Sequence, residues 1–394
     1  MKHIHPFPAR MAPEIVLERI KRLDNRLTVL DPMSGSGMVL GQAARQGLNS
    51  IGYEMDPLAR LVSRTGATKV NEKRVEESLQ RLLDVSVAAH SRRKRINLPW
   101  IDGDEETSAF VSYWFGKKQE RQLRSLVFHL IEKPISTNPK VLNVLKVALS
   151  RLIVTKEPKA SLARDTAHSR PHKVIETNSF DIFAELPASL AHVLKALDSA
   201  NISTNSKTYL GDARRMTRIR NGCIDAIITS PPYLNAIDYM RGHRLSLIWF
   251  GYSIPCLREI RASLIGAEIP MTGESNKHFV RLAKKLEFND LNPRMFKILE
   301  HYFFDLALQT QEAFRVLKRG ASATYVIGNS TISGCHIKNS ELLKKAAQLA
   351  GFSRRKEESR NIPNSRRYLP ILPKSGTSLA SRMREEHIIE FVKP

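Results

Sequence analysis

The segment Thr229-Ser230-Pro231-Pro232-Tyr233 combines hydroxyls, two rigid prolines and an aromatic ring. It follows an apolar run, residues 224–228, whose short length and β-branched side chains predict a buried strand of a parallel sheet. Ligands of open α/β sheets bind outside the carboxyl ends of the strands, where this segment would lie. Because the prolines lack backbone donors and leave carbonyl oxygens as acceptors, the segment suits recognition of an amine on a planar ring. A plain loop is the alternative.

A second candidate site is the turn Asp31-Pro32-Met33-Ser34-Gly35-Ser36-Gly37, which joins a predicted strand at 27–31 to a predicted helix at 38–46. Its glycines allow positive φ and let the backbone approach a ligand, and the helix that follows directs its amides toward the turn. The third glycine of the dinucleotide fingerprint and the lysine of the P-loop are absent. The turn therefore predicts a ligand with less need for phosphate recognition, unless it serves packing alone.

Three acids, Asp31, Glu54 and Asp212, stand at or just after the ends of three predicted strands, 27–31, 50–54 and 207–211. The carboxyl ends of parallel strands meet at one edge of a sheet, so the three carboxylates are expected in one crevice. An acid at the end of the second strand commonly accepts hydrogen bonds from ribose hydroxyls. Helix capping is the alternative for each acid alone, and it explains three acids in register less well.

Together these motifs resemble the S-adenosylmethionine-dependent DNA amino-methyltransferases, the cytosine-N4 and adenine-N6 family of restriction–modification type. The likeness covers residues 1–70 and about 205–330, and it includes His5-Pro6-Phe7-Pro8-Ala9, which is similar to the family's N-terminal segment beside the methionine end of the cofactor. It implies an α/β fold of the Rossmann-like class I methyltransferase type, a doubly wound and mostly parallel sheet with a helical insertion. We expect a discontinuous catalytic domain, 1–70 with 205–394, and an insertion, 71–204, that is a possible target-recognition region.

The resemblance also implies roles for individual residues. Gly35 and Gly37 would contact the methionine of S-adenosyl-L-methionine, Glu54 its ribose hydroxyls, and Asp212 its adenine amine. The expected cofactor-binding set is Phe7, Asp31, Pro32, Ser34, Gly35, Gly37, Glu54 and Asp212; the expected catalytic set is Ser230, Pro231, Pro232 and Tyr233, and no metal is expected.

The resemblance implies a chemical reason for the second motif. Ser230 and the Pro231 carbonyl would accept hydrogen bonds from the target amine, draw its hydrogens out of the ring plane and favour a tetrahedral nitrogen that attacks the methyl group. Tyr233 would stack on a base that has left the duplex.

The choice of target base depends on Ser230. Ser-Pro-Pro-Tyr more often accompanies methylation of cytosine N4, which we favour, and adenine N6 is the nearest alternative. More distant alternatives are an RNA base methyltransferase and an inactive DNA-binding protein of the same fold. The sequence departs from the family at Met33, where an aromatic residue is frequent, and at Met38, where threonine is frequent.

The charge of the chain indicates a polyanionic partner. Lys and Arg number 62 against 39 Asp and Glu, a net charge of +23, and the excess is present in residues 1–70, 71–204, 205–351 and 352–394 alike. Such an excess favours binding to phosphates, so double-stranded DNA is the expected partner. Arginine and asparagine commonly read base edges. The candidates for contact with DNA are Asn235, Arg241, Arg164, Arg170, Arg366 and Arg367.

The three cysteines, Cys223, Cys256 and Cys335, are far apart and predict neither a zinc site nor a disulfide framework. Pro255-Cys256 resembles the nucleophile of cytosine-C5 methyltransferases, but a structural cysteine is the better interpretation because Ser230 already fills the corresponding place in the fold. With no apolar signal core at the N-terminus, we expect a soluble cytoplasmic protein that associates with the nucleoid through DNA.

Secondary structure is less clearly predicted in three places. Residues 318–320 are expected to end a long helix that begins near 295, residues 234–292 are expected to be mostly irregular, and residues 353–384 are expected to be loop-like. Amphipathic helices are expected in the insertion near 75–89, 109–132 and 141–154.

Overall fold

A computed structural model describes residues 3–7, 11–21, 23–24, 27–92, 95–165, 170–198, 205–234, 238–288, 291–332, 335–362 and 385–394. The chain divides into two compact units. Unit 1 comprises Met1–Arg10, Asp56–Ser203 and Tyr239–Ile260, and unit 2 comprises Met11–Met55, Thr204–Asp238 and Arg261–Pro394.

The strands are, in chain order, β1 (Thr28–Asp31), β2 (Asn49–Glu54), β3 (Ala163–Arg164), β4 (His172–Lys173), β5 (Ser206–Leu210), β6 (Ile224–Thr229), β7 (Leu317–Gly328), β8 (Ser330–Ile332), β9 (Cys335–Ile337), β10 (Ser353–Asn361) and β11 (Glu385–Val392). The helices are α1 (Pro13–Ile20), α2 (Met38–Arg45), α3 (Pro57–Gly66), α4 (Glu72–Ser91), α5 (Pro99–Asp102), α6 (Glu105–Trp114), α7 (Lys117–Val127), α8 (Pro139–Ser150), α9 (Ile182–Asp198), α10 (Met240–Leu247), α11 (Ile254–Ser263), α12 (Lys277–Lys285), α13 (Pro293–Val316) and α14 (Asn339–Ala350). A π-helical turn, Phe128–Glu132, follows α7, and a 3₁₀ turn, Ile248–Phe250, follows α10.

Unit 2 is built on a seven-stranded sheet with the order β10-β11-β7-β6-β1-β2-β5. Strands β7, β6, β1, β2 and β5 are parallel, whereas β11 is antiparallel to both β7 and β10. The chain proceeds from β1 to β2 and β5 on one side and returns to β6 and β7 on the other, so a topological switch point lies between β1 and β6. This topology confirms the predicted fold class, an α/β fold of the Rossmann-like type with a doubly wound, mostly parallel sheet.

The sequence explains why the central strands are buried. In β6 the side chains of Ile224, Ala226, Ile227, Ile228 and Thr229 are all buried, as a strand covered on both faces requires. The long helix α13 begins at Pro293 with Asn292 as its N-cap, whose side chain accepts a hydrogen bond from the Met295 amide at 2.9 Å. One face of α13 joins the core of unit 2.

Unit 1 is largely helical and contains α3 to α10, and a buried arginine within it is paired with two partly exposed acids. Arg124, which is 2% exposed, donates hydrogen bonds to both Asp102 carboxylate oxygens at 2.8 and 2.9 Å and to Glu120 at 2.8 Å.

Unit 1 also includes segments that lie outside the predicted insertion. Residues 3–7, 56–70 and 239–260 belong to the same unit as the insertion. The domain boundaries given above, 1–70 with 205–394 and 71–204, stay a prediction.

One local prediction is confirmed and two are wrong. The long helix ends at Val316, just before residues 318–320. These residues already lie in β7, where Gly320 has φ +73° and its amide donates to the Lys393 carbonyl at 2.7 Å. Residues 353–361 form β10, an edge strand that is rich in charged side chains and has no buried residue. Much of 234–292 is helical, as α10, α11 and α12.

Within the described part of the chain, no helix combines the length and apolar character that crossing a bilayer needs.

Candidate active site

The predicted site residues of unit 2 gather at one edge of its sheet. Asp31 ends β1, Glu54 ends β2, Ser230 follows β6, and Asp212 follows β5 by two residues. These four strands are neighbours in the order β6-β1-β2-β5 and run parallel, so their carboxyl ends share the edge at which such sheets bind ligands.

A buried hydrogen bond joins two motifs, the proline motif (residues 229–233) and the glycine turn (residues 31–37). Thr229 donates through Oγ1 to Asp31 Oδ1 at 2.8 Å, and the Met33 amide donates to the same oxygen at 3.2 Å. Asp31 is 3% exposed and Thr229 is fully buried. Burial raises the pKa of Asp31 to about 7, although the hydrogen bonds from Thr229 and Met33 lower it. Thr229, the first residue of the proline motif, therefore holds the carboxylate of Asp31, the first residue of the glycine turn, in place.

The raised pKa of Asp31 predicts a pH-dependent stability. The unfolded chain binds fewer protons at this residue between its ordinary pKa of 3.8 and about 7, so the contribution is present below pH 3.8 and is lost as pH rises through 7. Asp31→Asn removes this titration and keeps an acceptor for Thr229. The free energy of unfolding of the variant, relative to that of the wild type, should rise with pH within that window and level off above it. Urea unfolding at pH 5, 6, 7 and 8 measures it, and two parallel profiles would contradict it.

The glycine turn is closed by Glu54. The Gly35 amide donates to Glu54 Oε2 at 2.7 Å, and the Ser34 amide donates to the Tyr53 carbonyl at 2.9 Å. Gly35 and Gly37 have φ of +48° and +80°, values that strain other residues. The carboxylate predicted to bind ribose is therefore held against the turn predicted to bind methionine.

Asp212 is engaged by a residue that the sequence did not single out. Arg214 donates to Asp212 from its backbone amide at 2.8 Å and from its guanidinium at 2.8 and 3.0 Å. The same guanidinium reaches Asp305 of α13 at 2.5 Å and the Ser263 carbonyl at 2.6 Å. Burial lowers the pKa of Arg214, but the bonds to Asp212 and the charge of Asp305 outweigh this and raise it. Each Asp212 oxygen already accepts two contacts.

The proline motif is also anchored to α13. Tyr302, which is fully buried, donates its hydroxyl to the Pro232 carbonyl at 2.9 Å, and burial raises the pKa of this tyrosine. Pro231 is buried, whereas Ser230, Pro232 and Tyr233 are half-buried. Ser230 Oγ and the Tyr233 hydroxyl oxygen lie 3.4 Å apart. Tyr302 belongs to the hydrophobic core of unit 2, and no local sequence pattern reveals its polar contact.

Tyr302→Phe should lower both stability and turnover. It leaves the Pro232 carbonyl without its donor at a cost of about 1–3 kcal/mol, and it frees the peptide that orients Pro231 and Tyr233. Tyr325→Phe is the matched control: Tyr325 is equally buried and pairs with Thr229 in the sheet, but its hydroxyl donates to Gln309 at 3.0 Å and not to the motif. Comparable losses of unfolding free energy with reduced methylation only in Tyr302→Phe are expected. Equal methylation by the two variants would contradict the anchoring role.

The other predicted residues belong to unit 1 or lie outside the described residues. Phe7 is in unit 1, where its ring stacks on Tyr239 with centroids 5.4 Å apart. Arg164, Arg170 and Arg241 are exposed residues of the same unit, and Arg164 lies 3.6 Å from Glu157. Asn235, Arg366 and Arg367 lie outside the described residues. Among the described residues, no cluster of His, Cys, Asp and Glu is suited to hold a metal ion.

The chain is similar to Type II methyltransferases over most of its length, although no family model matches it. It is 24% identical to the Type II methyltransferase M.BsoBI of Geobacillus stearothermophilus, with 82% of this chain and 73% of that protein covered. It is 25% identical to M.AvaI of Nostoc sp., covering 89% and 78%, and 22% identical to M.MvaI of Kocuria varians, covering 92% and 84%. These relatives confirm the resemblance to DNA amino-methyltransferases of restriction–modification type.

Solved structures give weaker likenesses. A SAM-dependent methyltransferase from Methanosarcina mazei has 8% identity and a TM-score of 0.36, with 98% of this chain and 99% of that chain covered. A structure described as a DNA modification methylase from Thermus thermophilus, complexed with S-adenosyl-L-methionine, has 14% identity and a TM-score of 0.25, covering 47% and 51%. These TM-scores are too low to support any statement about activity.

Proposed function

We propose that the protein is a DNA methyltransferase that transfers a methyl group from S-adenosylmethionine to the N4 amine of cytosine in duplex DNA, as the modification enzyme of a restriction–modification system. The observation that carries the proposal is the hydrogen bond between Thr229 and Asp31. It ties the amine-binding motif to the cofactor turn at the switch point of the sheet. The relatives, which are named Type II methyltransferases, support methylation of DNA.

The residues at the sheet edge fit the proposed cofactor. Glu54 presents a carboxylate beside the Gly35 amide, and ribose hydroxyls are donors that a carboxylate binds well. Gly35 and Gly37, which have positive φ angles, carry no Cβ atoms in the turn before α2, and this favours close approach of the methionine moiety. Asp212 fits less simply, because an adenine amine could bind it only if Arg214 released one of its hydrogen bonds.

When bound, S-adenosylmethionine supplies an electrophilic methyl group on a sulfonium. The protein's part is to make the target amine nucleophilic, because the nitrogen lone pair of an aromatic amine is delocalised into the ring. Ser230 Oγ and the Pro231 carbonyl oxygen accept hydrogen bonds that the target amine donates, and the hydrogen bond from Tyr302 to the Pro232 carbonyl holds the segment in place. Tyr233, half-buried next to them, stacks on the base and holds the amine in line for transfer.

Ser230 supports cytosine over adenine as the target. In the family that the motifs resemble, serine at this position more often accompanies cytosine N4, and aspartate or asparagine more often accompanies adenine N6. Duplex DNA as the substrate is supported by the net charge of +23, which favours a partner rich in phosphates.

The class of substrate is tested by transfer of tritium from methyl-labelled S-adenosylmethionine to unmethylated plasmid DNA and, separately, to total RNA. We expect label in DNA with the wild type and none with a Ser230→Ala, Tyr233→Ala double variant that still unfolds cooperatively. Label only in RNA rejects the DNA substrate. Equal label with the double variant rejects the catalytic site.

A further inference from the structure

A row of cations occupies the exposed face of α12. Lys277, Arg281, Lys284 and Lys285 are exposed, whereas Phe279 and Ala283 on the opposite face are buried. The helix, KHFVRLAKK, contains no acidic residue. The helix is therefore amphipathic. Its apolar side packs on the protein, and the charged residues on its exposed side are all cations.

The cations of this exposed face do not all stabilise the helix in which they lie. Lys277 stands in the first turn, where the positive end of the helix dipole disfavours a cation, and the first turn has no acid. The pairs Lys277–Arg281 and Arg281–Lys285 are four residues apart, a spacing at which like charges repel. Only Lys284 and Lys285, in the last turn, suit the dipole.

Two neighbouring acids contact other groups, and a third, Glu274, is exposed on the segment before α12. Glu300 accepts a hydrogen bond from the Asn276 amide at 2.6 Å and lies 3.5 Å from Lys297. Glu287 lies 3.8 Å from Lys338. Over the described residues, no ion pair joins the α12 cations to an acid. The charge of this face is thus not cancelled within the part of the protein that the structure describes.

Helix α12 is fixed to the helix that anchors the proline motif. The Phe279 ring lies 5.3 Å from the Phe296 ring and 5.5 Å from the Phe303 ring, both on α13. Phe303 is the neighbour of Tyr302, which binds Pro232. All of these residues belong to unit 2. The cationic face therefore has a defined attachment to the element that positions the candidate catalytic residues.

Two exposed apolar side chains lie before α12 in the chain, on a segment that also contacts α13. Ile269 and Met271 are 39% and 37% exposed. Their backbones are held by α13, since His301 Nδ1 lies 2.9 Å from the Ile269 carbonyl oxygen and the Met271 amide donates to the Lys297 carbonyl at 3.2 Å. The segment begins near Gly266, where an added Cβ would lie 3.7 Å from both Pro232 and Tyr302. It leads from the proline motif to the cationic face.

We propose that residues 269–285 form the surface on which duplex DNA docks beside the proline motif. The α12 cations contact backbone phosphates, and Ile269 and Met271 contact the groove next to the extruded base. This surface differs from the candidates for DNA contact that were predicted from sequence. Those were Arg164 and Arg170 in the insertion, Asn235 and Arg241, and Arg366 and Arg367 near the C-terminus. The inference rests on the proposed function, because it assigns the DNA surface of that site.

The test compares two triple variants of equal charge change. Lys277→Gln, Arg281→Gln, Lys284→Gln removes three α12 cations; Arg354→Gln, Arg355→Gln, Lys356→Gln removes three exposed cations of β10 that pair with Glu357, Glu390 and Glu358. Affinity for an unmethylated duplex is measured against salt. Loss of three phosphate contacts should reduce the slope of log affinity against log salt by about 2.7. The β10 variant should keep the wild-type slope and methylation.

The possible outcomes separate the docking surface from the proposed function. If the α12 variant has the slope of the β10 variant while the wild type methylates DNA, the docking surface is wrong and the proposed function stands. If the α12 variant alone loses slope but the wild type methylates no DNA, the surface stands and the proposed function fails. If the wild type binds an RNA duplex of the same sequence more tightly and this binding is lost in the α12 variant, DNA is the wrong partner. Met271→Gln should weaken binding at constant salt slope.

Discussion

Glu54→Ala should weaken binding of S-adenosylmethionine about 100-fold, because a carboxylate that accepts two charge-assisted hydrogen bonds contributes about 3 kcal/mol. The substitution removes the acceptor for ribose and also the group that holds the Gly35 amide at 2.7 Å. Both effects act on the cofactor rather than on DNA. Isothermal titration calorimetry of the folded variant with S-adenosylmethionine measures the change.

Asp225→Ala is the control for Glu54→Ala. Asp225 also accepts a backbone hydrogen bond across neighbouring strands, from the Thr28 amide at 2.9 Å, but it lies at the amino ends of β6 and β1. We expect this variant to lose stability and to keep cofactor affinity. If Glu54→Ala binds S-adenosylmethionine as the wild type does, the cofactor does not occupy the carboxyl edge of β2, and the proposed site is wrong.

Ser230→Ala should lower the turnover number by roughly 100-fold or more, the effect seen when one preorganised hydrogen-bonding group of an active site is removed. The reason is that one of the two acceptors for the target amine disappears, while the Pro231 carbonyl and the Tyr302 anchor remain. Cofactor affinity should not change, because the serine follows β6 and the cofactor residues lie at the ends of β1, β2 and β5. Single-turnover methylation at saturating DNA and cofactor measures the chemical step.

Ser206→Ala gives a matched loss of one hydroxyl. Ser206 begins β5, and its hydroxyl oxygen lies 2.9 Å from that of Ser50, away from the carboxyl edge. Its methylation rate should equal that of the wild type. A Ser230→Ala variant as fast as Ser206→Ala would show that the serine does not bind the amine, and the choice of cytosine over adenine would lose its basis.

The parts of the fold predicted from sequence are those in which local pattern and tertiary environment agree. β6 is an apolar run and is buried on both faces, and α13 shows helical periodicity because one face joins the core. The acids Asp31, Glu54 and Asp212 could be placed at one edge because strand ends of a parallel sheet must coincide. Their presence there is a finding of the structure, and their roles stay proposals.

The rest depended on contacts between residues distant in sequence. Arg214 reaches Asp305 across 91 residues, and Tyr302 reaches Pro232 across 70, so neither partner is visible in a local pattern. β10 carries charges because it is an edge strand. α9 was missed, and it contains Pro187 in its interior, a residue that ordinarily ends a helix. The cations of α12 were hidden in a segment that was expected to be irregular.

We propose that the site at the ends of β1 and β6 methylates an exocyclic amine of DNA. Mass spectrometry can test this on nucleosides from unmethylated duplex DNA that has been incubated with the wild-type protein and S-adenosylmethionine carrying a trideuterated methyl group. We expect trideuterated N4-methyldeoxycytidine, absent when the Ser230→Ala, Tyr233→Ala double variant replaces the wild type. Label in C5-methyldeoxycytidine, or in no nucleoside, would contradict methylation of an amine at this site, and label in N6-methyldeoxyadenosine would contradict the assignment of cytosine.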